Sequence, residues 1–319
     1  MNPIAIDAHS GPVSLVSFAP DGKSLVSAGD DGSLKEWSVH SWKMIGKYSG
    51  HTGRINGAVF SPHGDVLVSA AADGDLKWWQ RQVDGDATDG THADGTHADG
   101  AGADRAGADR GPVCIRTTKE VRRSVQSLFV TPDGRWLLVS TLSDVLIVVS
   151  MADGTVDRKI KSPARHVTAL DLSRLGTRIA AGGAGETVYM YSIPDASLVT
   201  SVRTGSESVS GFVFCRDARR ALSLGSDGVL RTWDSADWHA TGSLQLEGGT
   251  PGRLAVSPNG ARAAAAMGDR ILIIDLDDLQ IAQSLELSDG GAQIMAFSPD
   301  ERMLAASTTD RFINVWELQ

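Results

Sequence analysis

Seven times along this chain a short apolar strand ends on an aromatic or aliphatic residue and runs into a turn: at Phe18, Phe60, Val130, Leu172, Phe214, Val256 and Phe297. The intervals are 42, 70, 42, 42, 42 and 41 residues, and the outlier is 42 plus 28. One insertion therefore interrupts an otherwise constant period. A repeat of about 40–45 residues is the length of one four-stranded propeller blade. A unit that small cannot bury both its faces alone, so successive units must stack around an axis.

The first unit shows the grammar. Val13–Phe18 alternates and ends at Ala19-Pro20-Asp21-Gly22, where Pro fixes φ and Gly accepts a positive φ. Residues 23–27 read as a second strand, Asp30-Asp31-Gly32 as a turn, residues 33–37 as a third strand and residues 44–48 as a fourth. Short strands joined by tight turns make an antiparallel meander. The same turn returns as Phe60-Ser61-Pro62-His63-Gly64, Val130-Thr131-Pro132-Asp133-Gly134, Val256-Ser257-Pro258-Asn259-Gly260 and Phe297-Ser298-Pro299-Asp300.

Nineteen residues after the repeat's reference position stand Trp37, Trp79, Val149, Tyr191, Trp233 and Trp316, with Ile274 in the shorter sixth unit. Six before the tryptophans stand Asp31, Asp73, Asp227 and Asp310. Ten before stand Ser27, Ser69 and Ser223, but Ala306 in the last unit. Nine before the reference position, a histidine occurs only as His9 and His51.

On these residues the chain resembles the WD-repeat family, of the stand-alone bacterial kind, over essentially everything outside 82–111. The resemblance implies an all-β, seven-bladed propeller of four-stranded antiparallel blades, a single domain over 1–319. It also implies two complete hydrogen-bonded tetrads, Trp37/Ser27/His9/Asp31 and Trp79/Ser69/His51/Asp73. A buried indole N–H and a buried imidazole need partners, and a chained network satisfies both. Blades 3, 4 and 6 lack most of the set and are expected to rely on apolar packing.

The last repeat stops after its third strand, whereas residues 2–7 precede the first blade's innermost strand and have no other use. The N-terminal strand is therefore expected to complete blade 7 and close the ring. Within 82–111, Asp84, Asp89, Asp94, Asp99, Asp104 and Asp109 recur every five residues. This segment carries little large apolar surface to offset its ordering entropy, so disorder is expected. Its Asp spacing misses the EF-hand pattern by one residue, and His92 and His97 sit in Gly-rich sequence that fixes no geometry. A linker is the plainer reading, and no metal site is expected.

The net charge is −9, and seven Asp against two Arg in 82–111 supply −5 of it. That balance disfavours nucleic acid and anionic membranes. Cys114 and Cys215 stand far apart, outside any CxxC or Cys/His pattern, which suits a reducing compartment. No secretory pattern opens the chain, and 145–149, its most apolar stretch, is too short to span a bilayer. A cytoplasmic, monomeric propeller is the expectation.

No GxSxG, HExxH or Walker-type motif occurs, and Gly182-Gly183-Ala184-Gly185-Glu186 falls where a turn belongs. An enzyme is not expected, nor a cofactor. In WD-repeat propellers, partners commonly contact the loop entering each innermost strand. By position this implies Arg54, Asn56, Gln126 and His166, which Arg123 and Arg165 extend into a basic arc over blades 2–4. The leading expectation is a non-enzymatic scaffold that presents these loops to a protein partner. A ligand-binding or catalytic central channel is the alternative. Nucleic-acid binding through the arginine arc is weaker, because that face lacks aromatics for stacking.

Overall fold

The structure, a computed structural model, describes residues 3–81, 112–119, 121, 125–141, 145–215, 219–287 and 291–318. The segment 82–111 and Arg123 thus lie outside the described residues, as do the side chains of Arg165 and His166. Among the described residues, twenty-eight strands form seven four-stranded sheets, each antiparallel throughout. In blades 1 to 6 the strands are consecutive, innermost to outermost. In blade 1 these are Val13–Phe18, Ser24–Gly29, Leu34–Ser38 and Met44–Tyr48.

Blade 7 is built otherwise. Its inner three strands are Ile294–Phe297, Met303–Ser307 and Phe312–Glu317, and its outermost strand is the N-terminal Ile4–Asp7. Ile4 faces Val315 and Asp7 faces Phe312 across the closing ladder. The seam has its own core: Ile6, Ala8, Ile313 and Val315 share one buried cluster with Val13, Val16, Phe18 and Trp37 of blade 1.

Each blade interface has such a cluster, which is how a 41 % hydrophobic chain of short sheets buries its apolar faces. Between blades 1 and 2, Leu15, Leu34 and Tyr48 meet Ile55, Phe60, Leu67 and Trp79. Tyr48 and Trp79 meet edge to face, their ring centres 5.7 Å apart.

One local conformation repeats without a common sequence. In the turn before the outermost strand, Trp42, Ala196, Trp238 and Leu279 adopt φ of 55°, 58°, 65° and 55°, where glycine would be expected. Each packs against a core cluster, so burial offsets the left-handed backbone. Blade 3 has Gly154 there at φ 76°, under the Trp78 ring and the Arg116 side chain.

Candidate interaction face

The loops that enter the innermost strands and the turns between second and third strands share one face of the ring. On blades 1 and 2 this face is tied down by hydrogen bonds. Trp37 Nε1 donates to Ser27 Oγ at 2.9 Å, and Ser27 Oγ lies 2.8 Å from His9 Nε2. His9 Nδ1 lies 3.1 Å from Asp31 Oδ1. A carboxylate only accepts, so the His9 proton sits on Nδ1, and Nε2 accepts from the serine hydroxyl. Blade 2 repeats the chain: Trp79 Nε1 to Ser69 Oγ at 2.8 Å, Ser69 to His51 Nε2 at 2.8 Å, and His51 Nδ1 to Asp73 Oδ2 at 3.0 Å. Asp31 also takes the Ser10 and Ser33 N–H groups, and Asp73 those of Thr52 and Asp75. Entry loop and turn therefore move as one body in each blade.

The other blades keep fragments of this network. Blade 5 retains Trp233 Nε1 on Ser223 Oγ at 2.9 Å, while Asp227 binds Arg231 at 2.7 Å in place of a histidine. In blade 4 the phenol of Tyr191 reaches Ser162 Oγ in the entry loop at 3.0 Å. In blade 7 Trp316 is fully buried, and its Nε1 has no hydrogen-bond partner among the described residues. The cause is Ala306, standing where blades 1, 2 and 5 have the accepting serine. Ala306→Ser should supply that acceptor and raise stability by about 1 kcal/mol in urea unfolding. An unchanged or lowered midpoint would show that the orphan indole costs nothing there.

Burial pulls the pKa of both His9 and His51 below 6.5, against the pull of Asp31 and Asp73. A histidine depressed in the fold titrates first in the unfolded chain. Its contribution is therefore complete above pH 6.5 and declines as pH falls below it. Asp31 and Asp73 are themselves lowered, against their own burial, by the hydrogen bonds each accepts, so their contribution is lost only in stronger acid. Unfolding midpoints should accordingly drop between pH 7 and 5, and a His9→Gln/His51→Gln chain should show a shallower drop. Exposed His239, raised by Asp237, runs the opposite way.

The remaining candidate residues divide. Arg54 Nε pairs with Asp30 Oδ1 of blade 1 at 2.9 Å, with 53 % of its side chain exposed. The one arginine of the arc that can be described is thus already bridged across a blade interface. Ser14, beside it, donates to the Ile55 carbonyl at 2.5 Å, a second tie between the same blades. Asn56 lies on the innermost strand of blade 2, half-buried. Gln126 is exposed, but toward the axial channel.

A buried ionic cluster escaped the sequence reading. Glu36 of blade 1 accepts from Arg81 Nη2 of blade 2 at 2.6 Å, from Ser24 Oγ at 2.6 Å and from Tyr48 OH at 2.6 Å. Arg81 also donates to the Gly64 carbonyl and lies 4.8 Å above the centre of the Phe60 ring. Its pKa is raised by the carboxylate in spite of burial. A signal did exist: eighteen residues after the reference position the other blades carry Trp78, Val148, Met190, Thr232, Ile273 and Val315, and only blade 1 carries a charge.

Among the described residues, no group of three or more His, Cys, Asp or Glu lies close enough to hold a metal, and no helix is long and apolar enough to cross a membrane. Neither the exposed Cys114 nor the buried Cys215 is joined in a disulfide.

Seven four-stranded blades, with Trp–Ser–His–Asp chains in two of them, define a propeller of the WD type. The WD domain, G-beta repeat family model matches residues 2–38, 42–80 and 289–317, which fall in blades 1, 2 and 7 and the strand that closes blade 7. The chain carries WD repeats in these blades. It is similar to an uncharacterized WD repeat-containing protein of Synechocystis, 25 % identical over 139 residues, covering 43 % of this chain and 40 % of that one. It is also similar to Autophagy-related protein 16 of Arabidopsis thaliana, 22 % identical over 203 residues, covering 61 % and 39 %. With WD repeat-containing protein SL1-17 of Schistosoma mansoni it shares 34 % over 157 residues, covering 48 % and 51 %. The matched regions span about half or less of these relatives.

Proposed function

We propose that this propeller is a non-enzymatic docking scaffold that presents the entry-loop face of blades 1–4 to a protein partner. The observation that carries the reading is the rigidity of that face on blades 1 and 2. There two His–Asp chains lock loop to turn, and the Arg54–Asp30 pair bridges the blades. A face ordered before it meets its partner loses little entropy on binding. Arg54, Asn56, Arg123, Gln126, Arg165 and His166 are the proposed contacts, with arginine as anchor for acidic groups. The Arg54–Asp30 pair makes the anchor at blade 2 a two-charge feature, suited to a partner that offers both signs. WD-repeat propellers commonly serve in protein–protein interaction, and a cytoplasmic monomer fits the chain's acidic, thiol-bearing composition.

The test is affinity purification from the native host with mass spectrometry, comparing the parent chain with an Arg54→Glu/Arg123→Glu/Arg165→Glu chain of verified melting behaviour. The scaffold reading expects a reproducible partner that the charge-swapped chain loses. Recovery of the same partner by both chains would move the contact off this face. No reproducible partner from the parent would remove the scaffold reading.

A further inference from the structure

Among the described residues the outermost strand of each blade pairs on one side only, so its other edge faces outward with backbone groups unpaired. The seven edges do not carry charge alike. Blades 1 to 4 end in Met44–Tyr48, Val113–Thr118, Val156–Lys161 and Leu198–Arg203. These strands hold Lys47, Arg116, Arg158, Lys159, Lys161 and Arg203 against Asp157 alone. Blades 5 to 7 end in Ala240–Gln245, Gln280–Glu286 and Ile4–Asp7, which hold no Lys or Arg and carry Glu286 and Asp7. In a chain of net charge −9, a band of cations on four successive edges does not follow from composition.

Half of that band is on blade 3. Several of its cations already have partners. Arg116 donates to the Met151 and Ala152 carbonyls of blade 3 at 3.1 and 2.7 Å. Arg158 pairs with Asp157 and donates to the Ile193 carbonyl of blade 4 at 3.0 Å. Arg203 lies 3.6 Å from Glu186. Lys159 and Lys161 are exposed, and neither has an ion pair or hydrogen bond among the described residues. Past the bulge at Asp157, Arg158 to Lys161 stand opposite Val148 to Val145 in an unbroken ladder. Lys159 faces Ile147 and Lys161 faces Val145. Cross-strand partners share a face, and this one packs toward blade 2.

Lysine on an edge strand commonly keeps other chains off it. Edge protection does not account for this placement. The edges of blades 5 to 7 lie open without any cation, and that of blade 6 exposes Ile281 at 45 %. An open backbone edge beside two unmet lysines matches one kind of ligand. A peptide added as a fifth strand would take the main-chain bonds about 4.8 Å further out. Acidic residues two apart on it would stand opposite Lys159 and Lys161. A lipid headgroup or a phosphodiester offers the charge without the alternating N–H and C=O groups.

We propose that the outer edge of blade 3 binds an extended segment of a partner protein, in which acidic residues alternate with apolar ones, as a fifth strand beside Lys159 and Lys161. The site lies on the rim and does not rest on the entry-loop face proposed above.

The test is fluorescence anisotropy of the full chain with two labelled peptides of equal charge and composition, Glu-Val-Glu-Val-Glu-Val and Glu-Glu-Glu-Val-Val-Val. Saturable binding of the alternating peptide is expected, with the block peptide about tenfold weaker. A Lys159→Glu/Lys161→Glu chain should bind the alternating peptide about tenfold more weakly. A Lys43→Glu/Lys47→Glu chain, of the same net charge, should bind it as the parent does. Equal binding of both peptides, an equal loss in the blade 1 variant, or no saturable binding at millimolar concentration overturns the site. A dimer of parent chains that the blade 3 swap dissolves, or an oligonucleotide that it releases, would give the edge a different occupant and overturn the peptide. Should the blade 3 swap not fold, amide hydrogen exchange of the parent decides. Slowed exchange across residues 158–161 on adding the alternating peptide supports the site, and slowing only elsewhere, or none, overturns it.

Discussion

Removing residues 1–8 should destabilise the whole ring and expose an edge that self-associates. The deleted strand is the outermost of blade 7, paired from Ile4 opposite Val315 to Asp7 opposite Phe312. It also brings Ala8, whose N–H donates to the Arg311 carbonyl at 3.1 Å. Without it, Ile313 and Val315, buried at 0 % and 1 % exposure, lose their cover, and Phe312–Glu317 becomes an unpaired strand edge. The damage falls on the one seam that joins first and last blades, so both neighbours lose their packing together. Two point changes grade the effect. Ile6→Ala, at 7 % exposure, should cost about 2–4 kcal/mol. Ile4→Ala, at 39 % exposure, should stay within about 0.5 kcal/mol. A truncated chain that stayed monodisperse and melted with the parent would show that the N-terminal strand does not hold the ring shut.

The seam was readable because it is a matter of counting. A constant period and a last repeat one strand short leave residues 2–7 a single place to go. The tetrads were readable for a similar reason: each lies within one repeat, at spacings that recur, so position stands in for space. What the chain does between repeats was hidden. Glu36 and Arg81 are 45 residues apart, and nothing in either strand marks the other as its partner. Asp30 caps a turn of blade 1 in sequence terms, yet in space it neutralises Arg54 of blade 2. Tyr191 looked like a lost tryptophan, but its longer reach finds Ser162 directly. Patterns within a repeat survive in one dimension, whereas contacts across blade interfaces depend on side-chain length and local register.

Glu36→Ala should be among the most damaging single changes away from the seam. Glu36 and Arg81 side chains are 9 % and 5 % exposed, and the carboxylate is the only counter-charge bonded to Arg81 among the described residues. Removing it leaves a buried guanidinium with the Gly64 carbonyl, the Ser24 hydroxyl and the Phe60 ring as partners. Breaking one side of such a pair costs about 3–5 kcal/mol, whereas replacing both sides with apolar groups is often neutral. The Tyr48 hydroxyl would lose its acceptor as well. A Glu36→Ala/Arg81→Met chain should therefore be more stable than Glu36→Ala alone, a non-additivity that a double-mutant cycle in urea measures directly. The opposite order, with the double change worse than the single, would mean that Arg81 holds the blade interface through Gly64 and Phe60 whether or not its charge is met. In that case the cluster would be a packing device. With the expected order it is an electrostatic lock between blades 1 and 2, set where Arg81 directly precedes the acidic insertion.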